Sequence, residues 1–328
     1  MTRKGWSFVV VILLLLAAIV LSMAIGSIKV GFAELIRGLL TGTNEKVEVI
    51  RDLRLPRLIV ALFVGASLAV SGVLLQAVMR NPLADAGVIG ISSGAGLISL
   101  LFVTLFPTLF FWLPFFAFLG GVFACFLVYS LSWKSGLSPL RLVLVGIAVN
   151  ATFTGLGQSF NYRGSYAVTS VNQATTSIFT LKTWTDVQTM LIYGTAGLVL
   201  AMLLSSWCNL LAMQDKTARN LGLHVHRARL LVSAVAVLLA AVATAIGGLI
   251  AFVGLLVPHI ARSLVGSDHR TLIPFSALSG ALLILTADTL GRTVLAPTEI
   301  PASIIMTVIG GPFLIFLLRR SAHMHGDS

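Results

Sequence analysis

Apolar runs of about 20 residues, the length needed to cross the hydrocarbon core of a bilayer, recur from one end of this sequence to the other. In lipid every backbone N–H and C=O must find its partner inside the protein, which restricts such runs to α-helices or a closed barrel. The runs are continuous and do not alternate every second residue, and that selects helices. Composition agrees: 57% of the 328 residues are hydrophobic and only 10% are charged, against roughly 25% charged in soluble domains. The expected fold is an all-α integral membrane protein of about ten transmembrane helices, at 7–27, 58–79, 93–107, 112–132, 140–160, 190–212, 229–249, 250–265, 272–293 and 301–318. The third and eighth are short and rich in Gly and Pro. Residues 1–328 read as a single transmembrane domain without a linker or a soluble second domain.

The net charge of +11 lies in short connectors and not along one face, so it reads as an orientation signal and excludes a nucleic-acid partner. With the N-terminus inside, the inner connectors hold thirteen of the 22 basic residues against four of the 11 acidic ones. The positive-inside rule and an even number of spans then agree, and both termini are expected in the cytoplasm. Arg3-Lys4 followed by apolar residues resembles a secretory signal, but the stretch continues to Ile25 and is read as an uncleaved first span. Cys125 and Cys208 fall in or beside spans, as small packing residues.

Two connectors are long and polar. The one at 161–189 is expected outside. The one at 213–229, MQDKTARNLGLHVHRAR, is expected inside as two short surface helices joined at Gly222.

Equipment for covalent chemistry is missing. Lys134-Ser135 and Lys216-Thr217 lack the glycines of a phosphate loop. His224/His226 and His323/His325 are spaced two apart and do not share a helix face. The glycines of 90–96 do not follow a strand, and His259 has no nearby base in sequence. An ion-coupled carrier working alone needs carboxylates at membrane depth, whereas the acids here sit near span ends or in connectors. The stretch Gln76–Gly96 breaks helix formation repeatedly after Arg80; it is either an ordinary cytoplasmic turn or a re-entrant element lining a path. Arg54 and Arg57 before the second span, with Asp288, Arg292 and Glu299 around the last outer turn, are charges close to hydrocarbon; they either snorkel at the interface or form a dock for an acidic partner.

Five stretches together resemble the permease subunits of ABC importers for iron–siderophores, haem and cobalamin. They are Arg54-Leu-Pro-Arg57, residues 65–96 (GASLAVSGVLLQAVMRNPLADAGVIGISSGAG), 245–274 (AIGGLIAFVGLLVPHIARSLVGSDHRTLIP), 287–292 (ADTLGR) and 298–318 (TEIPASIIMTVIGGPFLIFLL). The resemblance spans the chain. It implies a bacterial inner-membrane permease that pairs with a second copy or a paralogue. Two ATPase subunits, which bind the ATP and Mg, would sit below, and a substrate-binding lipoprotein or periplasmic protein above. The chain itself would carry no cofactor and no metal site and would not be an enzyme.

The resemblance also implies roles for residues. Arg54, Arg57 and Arg292 would dock the binding protein, and Ala218, Arg219, Leu221 and Gly222 would meet the ATPase. Ser138, Pro139 and Leu140 would lie in the cytoplasmic gate, where Pro139 departs from the small polar pair of some members. The cargo expected is an Fe(III)–siderophore, with haem or cobalamin as the alternative. Gln76, Asn150, Gln158 and Asn161 are candidates to line the path, each equally able to hydrogen-bond a neighbouring helix.

Overall fold

The structure is a computed structural model that describes residues 3–24, 50–132, 139–161, 179–180, 182–296 and 298–325. Its elements are helices: α1 (Arg3–Ala24), α2 (Leu55–Met79), α3 (Ile91–Leu105), α4 (Leu113–Ser132), α5 (Pro139–Asn161), α6 (Trp184–Leu203), α7 (Ser205–Leu211), α8 (Asp215–Asn220), α9 (Val225–Gly247), α10 (Val253–Val265), α11 (His269–Thr293) and α12 (Ala302–His325). A helix occupies each of the ten predicted segments, and among the described residues six helices are long and apolar enough on their own to cross a membrane.

The central element is α2, which packs against α11, α9, α6 and α10 and is buried over nearly its whole length. Its sequence explains the position. Two glycines open seams along which neighbouring backbones come into direct contact: a methyl group on Gly65 would overlap the Gly280 carbonyl of α11, and one on Gly72 the Gly254 carbonyl of α10. Helices in lipid associate through such close packing because burial from water is not available to drive them together. Between these seams Ser71 donates to the Ala236 carbonyl of α9 at 2.7 Å.

Helix boundaries follow local chemistry. Pro56 opens α2, where a missing N–H costs nothing. α6 starts six residues earlier than expected because Asp186 accepts from the Thr183 amide at 2.8 Å and from its hydroxyl at 2.9 Å, closing a capping box. α10 begins only at Val253, since Gly248 (φ 78°) and Phe252 (φ 69°) interrupt the helix between them.

The connector at 213–229 differs from expectation. α8 forms, and Gly222 (φ 85°) ends it: the Gly222 amide bonds the Arg219 carbonyl at 2.9 Å and the Leu223 amide bonds the Ala218 carbonyl at 3.0 Å. This is the Schellman closure, and Leu223 and Ala218 are both buried. A second short helix does not form, because nothing between Val225 and Gly247 breaks the helix; the basic residues Arg227 and Arg229 are the first turns of α9.

Candidate functional site

Arg57 and Arg80 lie at opposite ends of α2, about 35 Å apart at 1.5 Å per residue, and each organises a polar cluster.

At the Arg57 end, the guanidinium is buried and meets Asp288 of α11 in a two-pronged pair, Nη2–Oδ1 2.7 Å and Nε–Oδ2 2.9 Å. Its Nη1 donates to Glu299 Oε2 at 3.0 Å and to Thr180 Oγ1 at 3.2 Å, and Thr180 in turn donates to Glu299 at 2.6 Å. One side chain thus ties together the start of α2, the end of α11, the turn before α12 and the approach to α6. Arg292, one turn along from Asp288, donates to the carbonyl (3.2 Å) and hydroxyl (2.8 Å) of Ser22. Arg54 donates to the Met23 carbonyl at 2.6 Å. Both arginines therefore satisfy carbonyls in the last turn of α1, at the negative end of its dipole. The three arginines expected to meet a partner are brought together, and their charge is met in part from within: by the carboxylates Asp288 and Glu299, and by the end of α1. Glu299 keeps a third of its side chain exposed. Thr180 and Ser22 carried no signal that sequence reading could use.

At the Arg80 end, the residues expected to meet an ATPase sit on α8 and the turn after it. Ala218 is buried, Arg219 and Leu221 are exposed, and Gly222 makes the turn. Arg219, Gly222, His224, His226 and Arg227 border an open hollow of about 530 Å³. Behind it Asp215, the first residue of α8, is held by Arg80 and, at 2.8 Å, by Arg229 of α9. Burial alone would raise the Asp215 carboxyl, but the Arg229 and Arg80 charges outweigh it and hold the group below the ordinary carboxylate value. In sequence Arg80 marks where helix formation breaks and Arg229 is one base of the inner connectors, with no partner evident for either; Asp215, a lone acid in a basic connector, is the available clue.

Between the ends, Gln76 is engaged by α10: its amide donates to the Gly254 carbonyl at 3.0 Å and its oxygen accepts from Arg262 at 2.6 Å. Those bonds match the helix-bonding alternative. Asn150 is half-buried with its backbone against Gly90, and Gln158 is exposed on α5. Asn161 and Pro139–Leu140 are the two ends of α5, with side chains outside the described residues, as is Ser138.

The 81–90 segment is not an exposed turn. Asn81, Ala84, Asp85, Ala86 and Ile89 are buried. The Asp85 carboxylate accepts from the Gly87 amide at 2.7 Å and faces the amides of Gly254 and Leu255 at the start of α10. Gly254 abuts Gly72, two turns inside the end of α2, so the chain folds back alongside α2 and satisfies its backbone there, as irregular structure at membrane depth requires.

Residues 14–320 match the FecCD transport family. The chain belongs to that family. This FecCD chain is 41% identical over 319 residues, 97% of each protein, to the probable heme-iron transport system permease protein IsdF of Staphylococcus aureus strains MSSA476 and Newman. A solved structure described as an inward-facing conformation of a metal-chelate type ABC transporter superposes with a TM-score of 0.79 at 32% identity, covering 94% of this chain and 97% of the other. PsaBC from Streptococcus pneumoniae, in complex with Fab, shares the fold alone, at a TM-score of 0.58 and 17% identity over 87% and 95% of the two chains. The FecCD chain is thus a multi-pass membrane protein and an ABC importer permease.

Proposed function

We propose that this permease imports an iron chelate, with the Arg57 end facing outward and the Arg80 end facing the cytoplasm with both termini. It pairs with a second copy or a paralogue. Two ATPase subunits, which hold ATP and Mg, sit on α8 and its turn, and a substrate-binding protein docks over the Arg54–Arg57–Arg292 face. ATP binding draws the ATPases together, and α8 passes that motion to the helices around the path. The work comes from ATP in other chains, so this one needs positions and not nucleophiles.

The observation that carries the reading is the match along 97% of the chain to permeases named for heme-iron transport. It sets haem beside the Fe(III)–siderophore as the cargo to test. The basic balance of the inner connectors supports the orientation.

The test is uptake by proteoliposomes holding the permease, its ATPase and its binding protein, offered haem and ferric siderophores in turn. ATP-dependent accumulation of one of these is expected. Uptake driven by an ion gradient without ATP, or ATP-dependent uptake only of a cargo without iron such as cobalamin, overturns the reading. Reversing Arg54 and Arg292 to Glu is expected to weaken binding-protein docking in a salt-sensitive manner; unchanged docking discards that face.

A further inference from the structure

Arg80 stands in the left-handed region, φ 48° and ψ 38°, as the residue that ends α2. A glycine or asparagine holds that conformation with less strain, so an arginine there points to a requirement for its side chain. The guanidinium reaches two elements outside α2. Nε donates to the Leu211 carbonyl, the last residue of α7, at 2.9 Å, and Nη2 pairs with the Asp215 carboxylate that starts α8. About a third of each partner's side chain is exposed, and a pair so exposed adds little to stability. What it supplies is position: it joins α8 to the residue that caps α2.

The chain beyond Arg80 continues the connection. Most of the 81–90 segment is buried, Pro82 excepted, and it is internally bonded: the Ala84 amide to the Asn81 carbonyl at 3.1 Å and the Ile89 amide to the Asp85 carbonyl at 2.9 Å. It ends against α5, where a methyl group on Gly146 would lie 2.9 Å from the Ile89 Cα and one on Gly90 would lie 3.2 Å from the Asn150 nitrogen. On its other side Asp85 faces the start of α10. From α8 to α5 there are thus two non-covalent steps, Asp215 to Arg80 and Ile89–Gly90 to Gly146–Asn150, joined by a mostly buried stretch of chain.

We propose that Arg80 is the positioning residue through which displacement of α8 reaches the 81–90 segment and, with it, α5 and α10. The inference rests on the reading of α8 as the ATPase contact and adds the route inward from it. The Schellman turn of Arg219–Leu223 sets the shape of the contact, and the Asp215–Arg80 pair carries it into the bundle. Arg229 meets the same carboxylate oxygen, Oδ1, at 2.8 Å, so α8 moves together with the start of α9.

The experiment compares uptake per ATP hydrolysed in the reconstituted complex for wild type, R80G, D215A and the double variant, with the melting temperature and ATPase association measured on each. R80G keeps a residue suited to the left-handed backbone while removing the guanidinium, so loss of fold is not expected; D215A removes the same pair from the other side. Expected are a fall of about tenfold in uptake per ATP in R80G and in D215A, ATPase association and hydrolysis within about twofold of wild type, and a double variant whose loss falls well short of the product of the two single losses, since both cut the Asp215–Arg80 pair even though D215A also releases Arg229 and R80G the Leu211 carbonyl. A wild-type ratio in R80G overturns the proposal. So do effects that multiply in the double variant, or losses that follow the melting temperature in both single variants. Failure of the wild-type complex to couple any uptake to ATP strikes the underlying reading instead, and is told apart by its independence of the substitutions.

Discussion

Arg57 and Asp288, 231 positions apart, form a buried two-pronged ion pair with Nη2–Oδ1 at 2.7 Å and side chains only 9% and 4% exposed. Truncating one partner leaves the other buried with only its weaker companion, Arg57 with Glu299 at 3.0 Å or Asp288 with Arg292 at 3.6 Å, and costs up to about 3–5 kcal/mol. Arg57→Ala and Asp288→Ala are therefore expected to lower the melting temperature of the detergent-solubilised permease strongly, whatever they do to docking. Replacing both by leucine is expected to recover most of the loss. Stability of R57A equal to wild type would show that the pair is not formed in the membrane.

The seam between Gly72 and Gly254 has no room for a side chain, because even a methyl group on Gly72 overlaps the Gly254 carbonyl. Gly72→Leu is expected to abolish accumulation of folded permease, and Gly72→Ala to cost about 1–3 kcal/mol or more through forced separation of α2 and α10. Yield and melting temperature read both. Gly155, beside which nothing lies within 4 Å, provides the contrast: Gly155→Ala is expected to leave stability nearly unchanged.

The helices were legible in the sequence because burial in lipid demands continuous apolar runs, and their interruptions because Gly and Pro mark where the ladder stops. The central place of α2 showed only as a concentration of small residues between Gly65 and Gly72. The polar clusters were legible as residue types and not as pairs. Arg57, Asp288 and Glu299 each announced a cost, but their partnership depends on how three distant segments meet. Thr180, in a long polar connector, offered no periodic signal at all. Gln76 shows why the path is hard to read: its amide looks the same in sequence whether it faces a cavity or bonds Gly254 and Arg262, as it does within this protomer.

Acid sensitivity is expected to set in only at low pH. Glu299, like Asp215, is held below its ordinary value: burial opposes this, but the Thr180 hydroxyl and the Arg57 charge outweigh it. A carboxyl lowered in the folded state stabilises that state above its unfolded value and ceases to do so as pH falls through the folded value. The ordinary values are 3.8 for Asp and 4.5 for Glu. These two groups therefore predict a flat melting temperature from about pH 8 to about pH 5 and a decline below about pH 4. A decline centred near neutrality would point to other groups.

Gly222 separates conformation from contact. Its φ is 85° and a side chain there would meet nothing within 4 Å, so Gly222→Ala adds no clash and acts only through the left-handed backbone, at a cost of about 1–2 kcal/mol. The residues that close the turn, Arg219 and Leu223 through their backbone bonds, would be pulled toward a continued helix, and the exposed Arg219 and Leu221 would turn with them. The expected result is weakened ATPase association and lower uptake, with a melting temperature within a few degrees of wild type, because Arg219, Leu221 and Gly222 are exposed. Gly222→Asn tolerates the same φ better than alanine and is expected to restore much of the association. The order Gly, Asn, Ala in association, measured by co-purification with the ATPase, is the signature of a shaped turn; Asn and Ala behaving alike would assign the effect to side-chain bulk at the interface instead.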